Sequence, residues 1–151
     1  GGGFASLEII DTTPTISVIA VGAAREGGST ASFNFTRAGY AGSALTVNFT
    51  VGGTATSGVD FTSLGTTVNF APFQTSASLT LTAIDDGASE PTETVSVALA
   101  SGTGYRVGTL DYTVAPILDN DAQVVTVETL FGAFEGGVEG EFLFRRIGDL
   151  S

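Results

Sequence analysis

Residues 31–37 read Ala31-Ser32-Phe33-Asn34-Phe35-Thr36-Arg37, and residues 45–51 read Leu45-Thr46-Val47-Asn48-Phe49-Thr50-Val51. In both stretches apolar side chains alternate with Ser, Thr or Asn. That is the period-two signature of a strand with one buried and one wetted face. Between them, residues 38–44 are Gly, Ala, Ser and Tyr, the composition of a turn rather than of a continuing strand.

The same reading extends outward. Strand A covers about 14–22 and strand D about 65–71. Strand E runs from about 75 to 84 with Leu79 and Leu81 inward, and strand F carries Val95, Val97 and Leu99. Strand G spans about 108–118 and contains Pro116, which suits an edge or a bulge because proline donates no ladder hydrogen bond. Turn residues recur between these stretches, and no stretch has helical periodicity. The expected fold is all-β, a seven-stranded, immunoglobulin-like antiparallel β-sandwich. Phe33, Phe35, Phe49, Phe61 and Phe70 fall on inward positions and read as core, not as a carbohydrate platform.

The chain also repeats itself. Arg25-Glu26-Gly27-Gly28 returns as Phe134-Glu135-Gly136-Gly137, and Phe33-Asn34-Phe35-Thr36-Arg37-Ala38-Gly39 returns as Phe142-Leu143-Phe144-Arg145-Arg146-Ile147-Gly148. Glu26 and Glu135, Phe33 and Phe142, Arg37 and Arg146, and Gly39 and Gly148 are all 109 apart. Ile9-Ile10-Asp11 likewise anticipates Ile117-Leu118-Asp119. The expected organisation is the tail of one repeat at 1–13, a complete repeat at 14–121, and the first two strands of a third at 122–151.

Charge narrows the function. Sixteen Asp and Glu face five Arg and no Lys, for a net charge of −11. Nucleic acid is a poor partner, since phosphate binding needs clustered Lys and Arg. Anionic membrane surfaces are disfavoured for the same reason, and no apolar run is long enough to insert into a bilayer. Without Cys or His, soft and borderline metals lack their usual ligands, whereas hard cations held by oxygen do not. Catalysis is not expected, because no His, Cys or Lys stands ready to activate the many Ser and Thr. Gly27-Gly28 and Gly52-Gly53 read as turns, since no helix follows to hold a phosphate. Asn34-Phe35-Thr36 and Asn48-Phe49-Thr50 match the glycosylation pattern but lie within strands.

Strand parity then places the acids. In an antiparallel sandwich the A–B, C–D and E–F loops and the exit from strand G share one end. Glu26 lies in the first loop and Asp60 in the second. Asp85, Asp86, Glu90 and Glu93 lie in the third, and Asp119 and Asp121 follow strand G. The opposite loops, at about 38–44, 72–74 and 102–107, hold no acid. Each close pair of carboxylates costs about 1 kcal/mol even in water. Divalent cations relieve that repulsion, and calcium, with six to eight flexible oxygen ligands, fits better than magnesium. The plainer reading is a set of solvated loops that keep the protein soluble.

Glu26-Gly-Gly, Phe33-x-Phe35-x-Arg37-x-Gly39, Gly53-Thr54-Ala55-x-x-Gly58-x-Asp60-Phe61, Val68-x-Phe70-x-Pro72, Ile84-Asp85-Asp86, Glu90-x-x-Glu93 and Leu118-Asp119-Asn120-Asp121 occur in order across the central repeat. This pattern resembles the Calx-beta family, known from sodium/calcium exchangers, an integrin β subunit and large bacterial surface proteins. The resemblance implies calcium ligation by Glu26, Asp60, Asp85, Asp86, Glu90, Glu93, Asp119 and Asp121, with a backbone carbonyl near Ala88. Asn120 stands where the exchangers carry a further aspartate, offering an oxygen but less charge. Asp11-Thr12-Thr13 lacks the second acid of that motif.

The expected role is a calcium-binding repeat of an extracellular or cell-surface protein, with calcium rigidifying the loops and the junction between repeats for adhesion or spacing. Its partners would be calcium ions and neighbouring repeats or other copies of itself. The alternative is a structural subunit that assembles head to tail into filaments by strand exchange, with calcium secondary.

Overall fold

Alternating apolar and hydroxyl side chains give each strand one face to bury, and two such sheets bury those faces against each other. The computed structural model describes residues 11–121, 124–133, 135–137 and 139–147. The strands are β1 (Thr15–Val21), β2 (Ala24–Arg25), β3 (Ala31–Ala38), β4 (Leu45–Gly53), β5 (Thr67–Phe70) and β6 (Ser76–Leu81). They continue with β7 (Glu93–Leu99), β8 (Arg106–Val107), β9 (Tyr112–Leu118), β10 (Val124–Phe131) and β11 (Glu141–Ile147).

One sheet has the order β6-β3-β1-β8 and the other β2-β9-β7-β4-β5. The seven longer strands of this sandwich are the seven read from alternation. The two-residue strands β2 and β8 are additions too short for any period to reveal. They pair in parallel with their neighbours, β8 with β1 at Thr15–Arg106 and Ile16–Val107, and β2 with β9 at Ala24–Ile117 and Arg25–Leu118. Pro116 lies on β9 opposite Thr94, at a position β2 does not reach, so its outer flank is effectively an edge.

Inward positions supply the core: Ile16 and Val18 of β1, Phe33 and Phe35 of β3, Val47 and Phe49 of β4, Val68 and Phe70 of β5, Leu81 of β6, Val95 and Val97 of β7, and Ala115 and Ile117 of β9. The Phe35 and Phe49 rings meet across the sheets at a centroid distance of 5.5 Å. Phe61, in the loop between β4 and β5, is buried too. Two polar side chains pack at the opposite end of the sandwich. Arg37 continues the inward row of β3 and donates from Nη1 to the Ser43 carbonyl at 2.8 Å. The Tyr105 hydroxyl donates to the Ala100 carbonyl at 2.7 Å and accepts from the Asn48 amide at 3.1 Å, tying the 101–105 loop to β4. Gly53 is required where β4 meets β7, because its φ is +118° and a Cβ there would lie 2.1 Å from the Thr94 carbonyl oxygen.

Strands β10 and β11 form a separate antiparallel hairpin. It pairs Val124 with Ile147, Val125 with Arg146, Val127 with Phe144 and Thr129 with Phe142. In the sandwich β1 and β3 pair Thr15 with Ala38, Ile16 with Arg37, Val18 with Phe35 and Ala20 with Phe33. Every one of these partners is displaced by 109 on both strands, so the second hairpin has the register of the first. Residues 1–10 of the expected leading tail lie outside the described residues, as do 122–123, Phe134, Val138 and 148–151.

Candidate metal centre

The antiparallel order of β1, β3, β4, β5, β6, β7 and β9 brings the loops at 22–30, 54–66 and 82–92 to one end, with the chain leaving β9 beside them. At the first loop, the Glu26 amide donates to the Leu118 carbonyl at 3.1 Å, and the Gly28 amide to the Arg25 carbonyl at 3.1 Å. This turn sets Glu26 against the end of β9. Gly27 has φ +58°, and a Cβ on it would lie 2.9 Å from Asn120 Nδ2 and 3.1 Å from Asp85 Oδ2. Glycine is needed here both for the backbone and for the close approach of the acidic loops.

Glu26, Asp119 and Asp121 converge so that one carboxylate oxygen from each lies within 4.8 Å of the others. Asp119 is fixed from two segments: Oδ1 accepts from the Asp121 amide at 2.9 Å and Oδ2 from the Glu90 amide of the 82–92 loop at 3.2 Å. Asp60, Glu90 and Glu93 form a second group, again within 4.8 Å. Asp60 Oδ2 accepts from the Thr56 amide, and the Asp60 carbonyl accepts from the Ile84 amide at 2.9 Å, locking the C–D loop to the end of β6.

Asp85 and Asp86 belong to neither triad but flank the first. Asp85 Oδ1 accepts from Asn120 Nδ2 at 3.1 Å, and Asp86 Oδ1 closes a turn by accepting from the Ala88 amide at 2.7 Å. Asn120 Nδ2 also donates to the Glu26 carbonyl at 3.0 Å, so this amide acts as a donor that stitches three segments together. Ala88 meets the cluster through that amide.

The electrostatics agree with the geometry. Glu26 is only 3% exposed, and its Oε2 is buried without a hydrogen-bond partner; Asp121 Oδ2 is likewise buried and unpartnered. Burial, followed by the charges of Asp119, Asp86, Glu90 and Asp121, pushes the Glu26 carboxyl up to about 7. Asp121 is raised by burial and by Asp119, Asp85 and Asp86. Glu93 is raised by burial, by the Asp60 charge, by a hydrogen bond with Asp60 and by Glu90. Glu90 thus acts on both groups. All three shifts have one physical origin, namely too much negative charge in too little water. The ion pairs Arg106–Asp11 at 3.0 Å and Arg145–Glu128 at 3.9 Å lie on segments outside these loops.

Glu26 and Asp121 each carry a buried, unpartnered carboxylate oxygen, and they belong to a triad of converging carboxylates, a donor set that suits a hard divalent cation. Strand parity brings together all eight acids that the sequence suggests. The division into two triads and the donor role of Asn120 are visible only in space, because both depend on contacts between loops far apart in the chain.

A family model described as Calx-beta domain matches residues 14–129. Among solved structures, the apo form of the Calx CBD1 domain is similar over 72% of this chain and 99% of its own, with a TM-score of 0.61 and 20% identity. The calcium binding domain CBD12 of CALX1.1 aligns over 70% of this chain and 44% of its own, with a TM-score of 0.60 and 21% identity. The Calx CBD2 domain aligns over 70% and 86%, with a TM-score of 0.54 and 11% identity. At these identities the likeness is one of fold. No curated protein sequence gives a significant match.

Proposed function

The chain belongs to the Calx-beta domain family, and from that premise we propose that its central sandwich binds calcium at the acidic end and uses the ions to fix loops and the exit of β9. The observation that carries this reading is the pair of buried, unpartnered oxygens, Glu26 Oε2 and Asp121 Oδ2. Glu26, Asp119 and Asp121, with Asp85 and Asp86 beside them, would hold one ion; Asp60, Glu90 and Glu93 would hold another, with Glu90 between the two groups.

Glu26 hangs from the loop after β1, whereas Asp119 and Asp121 belong to the segment that leads from β9 toward β10. An ion shared by them cross-links the sandwich to whatever follows it. Ions that bind only the folded form stabilise it by RT ln(1 + [Ca]/Kd), about 2.7 kcal/mol at a hundredfold excess over Kd. A stiff, calcium-set junction suits a spacer or adhesive array outside the cell, where calcium is permanently abundant. The module would work there by shape and not by catalysis. Assembly of copies into filaments through open strand edges is a second reading, supported by the separate two-stranded sheet that β10 and β11 form.

Calorimetric titration of the metal-free chain with calcium tests the primary reading, alongside melting with calcium and with chelator. Saturable heats and a large melting shift in a monomer are expected. Heats equal to those of buffer would sink the calcium reading, and calcium-independent growth in sedimentation would favour filaments.

A further inference from the structure

We propose that the peptide unit Asp86–Gly87 is a site of self-modification: in the metal-free chain Asp86 closes on its own backbone as a succinimide and reopens as isoaspartate, and a bound cation slows the change. The slowing rests on the calcium reading; the ring closure does not.

Asp86 is the one Asp or Asn of the chain that is followed by glycine. Closure requires the next backbone nitrogen to reach the side-chain Cγ, and a Cβ on that next residue obstructs the approach. Gly87 is exposed, lies between β6 and β7 outside any strand, and has nothing within 4 Å of where a Cβ would stand. Among the described residues its amide takes part in no backbone hydrogen bond. Asp86 Oδ1 accepts from the Ala88 amide at 2.7 Å, an Asx turn that curls the side chain back past the Gly87 nitrogen.

Two other places in the chain show what that peptide unit has and they lack. Asp11 makes the same turn, accepting from the Thr13 amide at 2.9 Å, but its next residue is the β-branched Thr12. Asn120 is held by the Glu26 carbonyl and Asp85, and the amide that follows it donates to Asp119 Oδ1 at 2.9 Å.

In the reaction the Gly87 nitrogen bonds to Asp86 Cγ. One carboxyl oxygen leaves as water, taking the amide proton and a proton from solvent. Water then adds to the carbonyl on the Cα side and breaks its bond to nitrogen. The main chain now runs through Cβ and Cγ, one carbon longer, and the free carboxylate hangs directly from Cα. The loop cannot absorb this freely, since the Ile84 amide is tied to the Asp60 carbonyl at 2.9 Å and the Glu90 amide to Asp119 at 3.2 Å. A cation that takes an Asp86 oxygen as ligand would hold Cγ away from the nitrogen.

The test incubates the full chain at neutral pH for weeks, with chelator or with excess calcium. Mass spectrometry reads the succinimide as loss of one water, and electron-transfer cleavage between Cα and Cβ locates isoaspartate. We expect isoaspartate at Asp86 and not at Asp11 in chelator, less of it in calcium, and smaller calcium heats from the aged chain than from the fresh one. Gly87→Ala, whose Cβ meets open space, should melt like the native chain and lose most of the isomer. The proposal is overturned if Asp86 stays unmodified in chelator, if Asp11 isomerises as fast, or if Gly87→Ala isomerises like the native chain. Equal rates with and without calcium, in a chain whose fresh form binds the ion, overturn the protective role. A fresh chain that gives no calcium heats refutes the calcium reading instead and leaves the metal-free result standing.

Discussion

Replacing Glu26 by Gln should stabilise the metal-free protein at pH 8 and at the same time weaken calcium binding. In the folded chain burial and the neighbouring acids raise the Glu26 carboxyl from an ordinary 4.5 to about 7. A carboxyl whose pKa is higher folded than unfolded contributes its full stability below the unfolded value and loses it as pH rises through the folded one. Metal-free protein should therefore weaken from pH 4.5 toward 7, the reverse of a paired carboxylate. Asp121 and Glu93 are raised as well and push in the same direction. At about 1.4 kcal/mol per pKa unit, the ionised Glu26 costs roughly 1–3 kcal/mol above pH 7, the lower figure allowing for solvent screening at the tip.

Gln does not ionise, so the variant keeps what the native chain loses. For a domain of this size that corresponds to roughly 4–12 °C in Tm at pH 8. Near pH 4.5 the two proteins should melt together. Thermal melts of dialysed, metal-free protein at pH 5, 6, 7 and 8, repeated with excess calcium, measure the effect. Calcium should lift the native chain most at pH 8, where its ligands are already ionised, and should lift the variant less throughout. If metal-free native protein grows more stable between pH 5 and 7, or if the variant shows the same slope, the crowded-carboxylate account fails.

Three further substitutions examine separate links. Asp119→Asn removes the charge from the centre of the first triad and should weaken calcium binding about tenfold or more by calorimetry, with little change in the fold by circular dichroism. Tyr105→Phe strips the partners from the Asn48 amide and the Ala100 carbonyl and should cost about 1–2 kcal/mol in urea denaturation, with no effect on calcium affinity at the far end. Gly53→Ala meets both a φ of +118° and a carbonyl oxygen 2.1 Å from the new Cβ; the expected loss is roughly 2 kcal/mol or more, and near-native stability would show that β4 and β7 separate there easily.

The sequence displays the sandwich because each long strand carries its own evidence. Phe33, Phe35, Val47, Phe49, Val95 and Val97 alternate with hydroxyls or amides over enough residues for the period to be unmistakable, and all are buried. The acidic pole follows from strand direction alone, needing no contact information. What stays hidden depends on two loops meeting. Asn120 becomes a donor to Glu26 and Asp85 only because the turn at Gly27 lies against it. Strands β2 and β8 are two residues each, below any detectable period. Tyr105 sits in a loop of Ser, Gly and Thr, where nothing local marks it as buried.

The two hairpins separate local from distant causes within a single chain. Both adopt the same register, so pairing is set by residues on the two strands: apolar side chains opposite one another and an arginine opposite the first inward aliphatic. Burial is not set there. Phe35 is fully covered and Phe144 is mostly exposed, although their cross-strand partners, Val18 and Val127, are the same residue type. The difference is what β6 and the opposite sheet add. A two-stranded ribbon is marginal in water by itself, so β10 and β11 hold a local instruction whose energy must come from another strand layer.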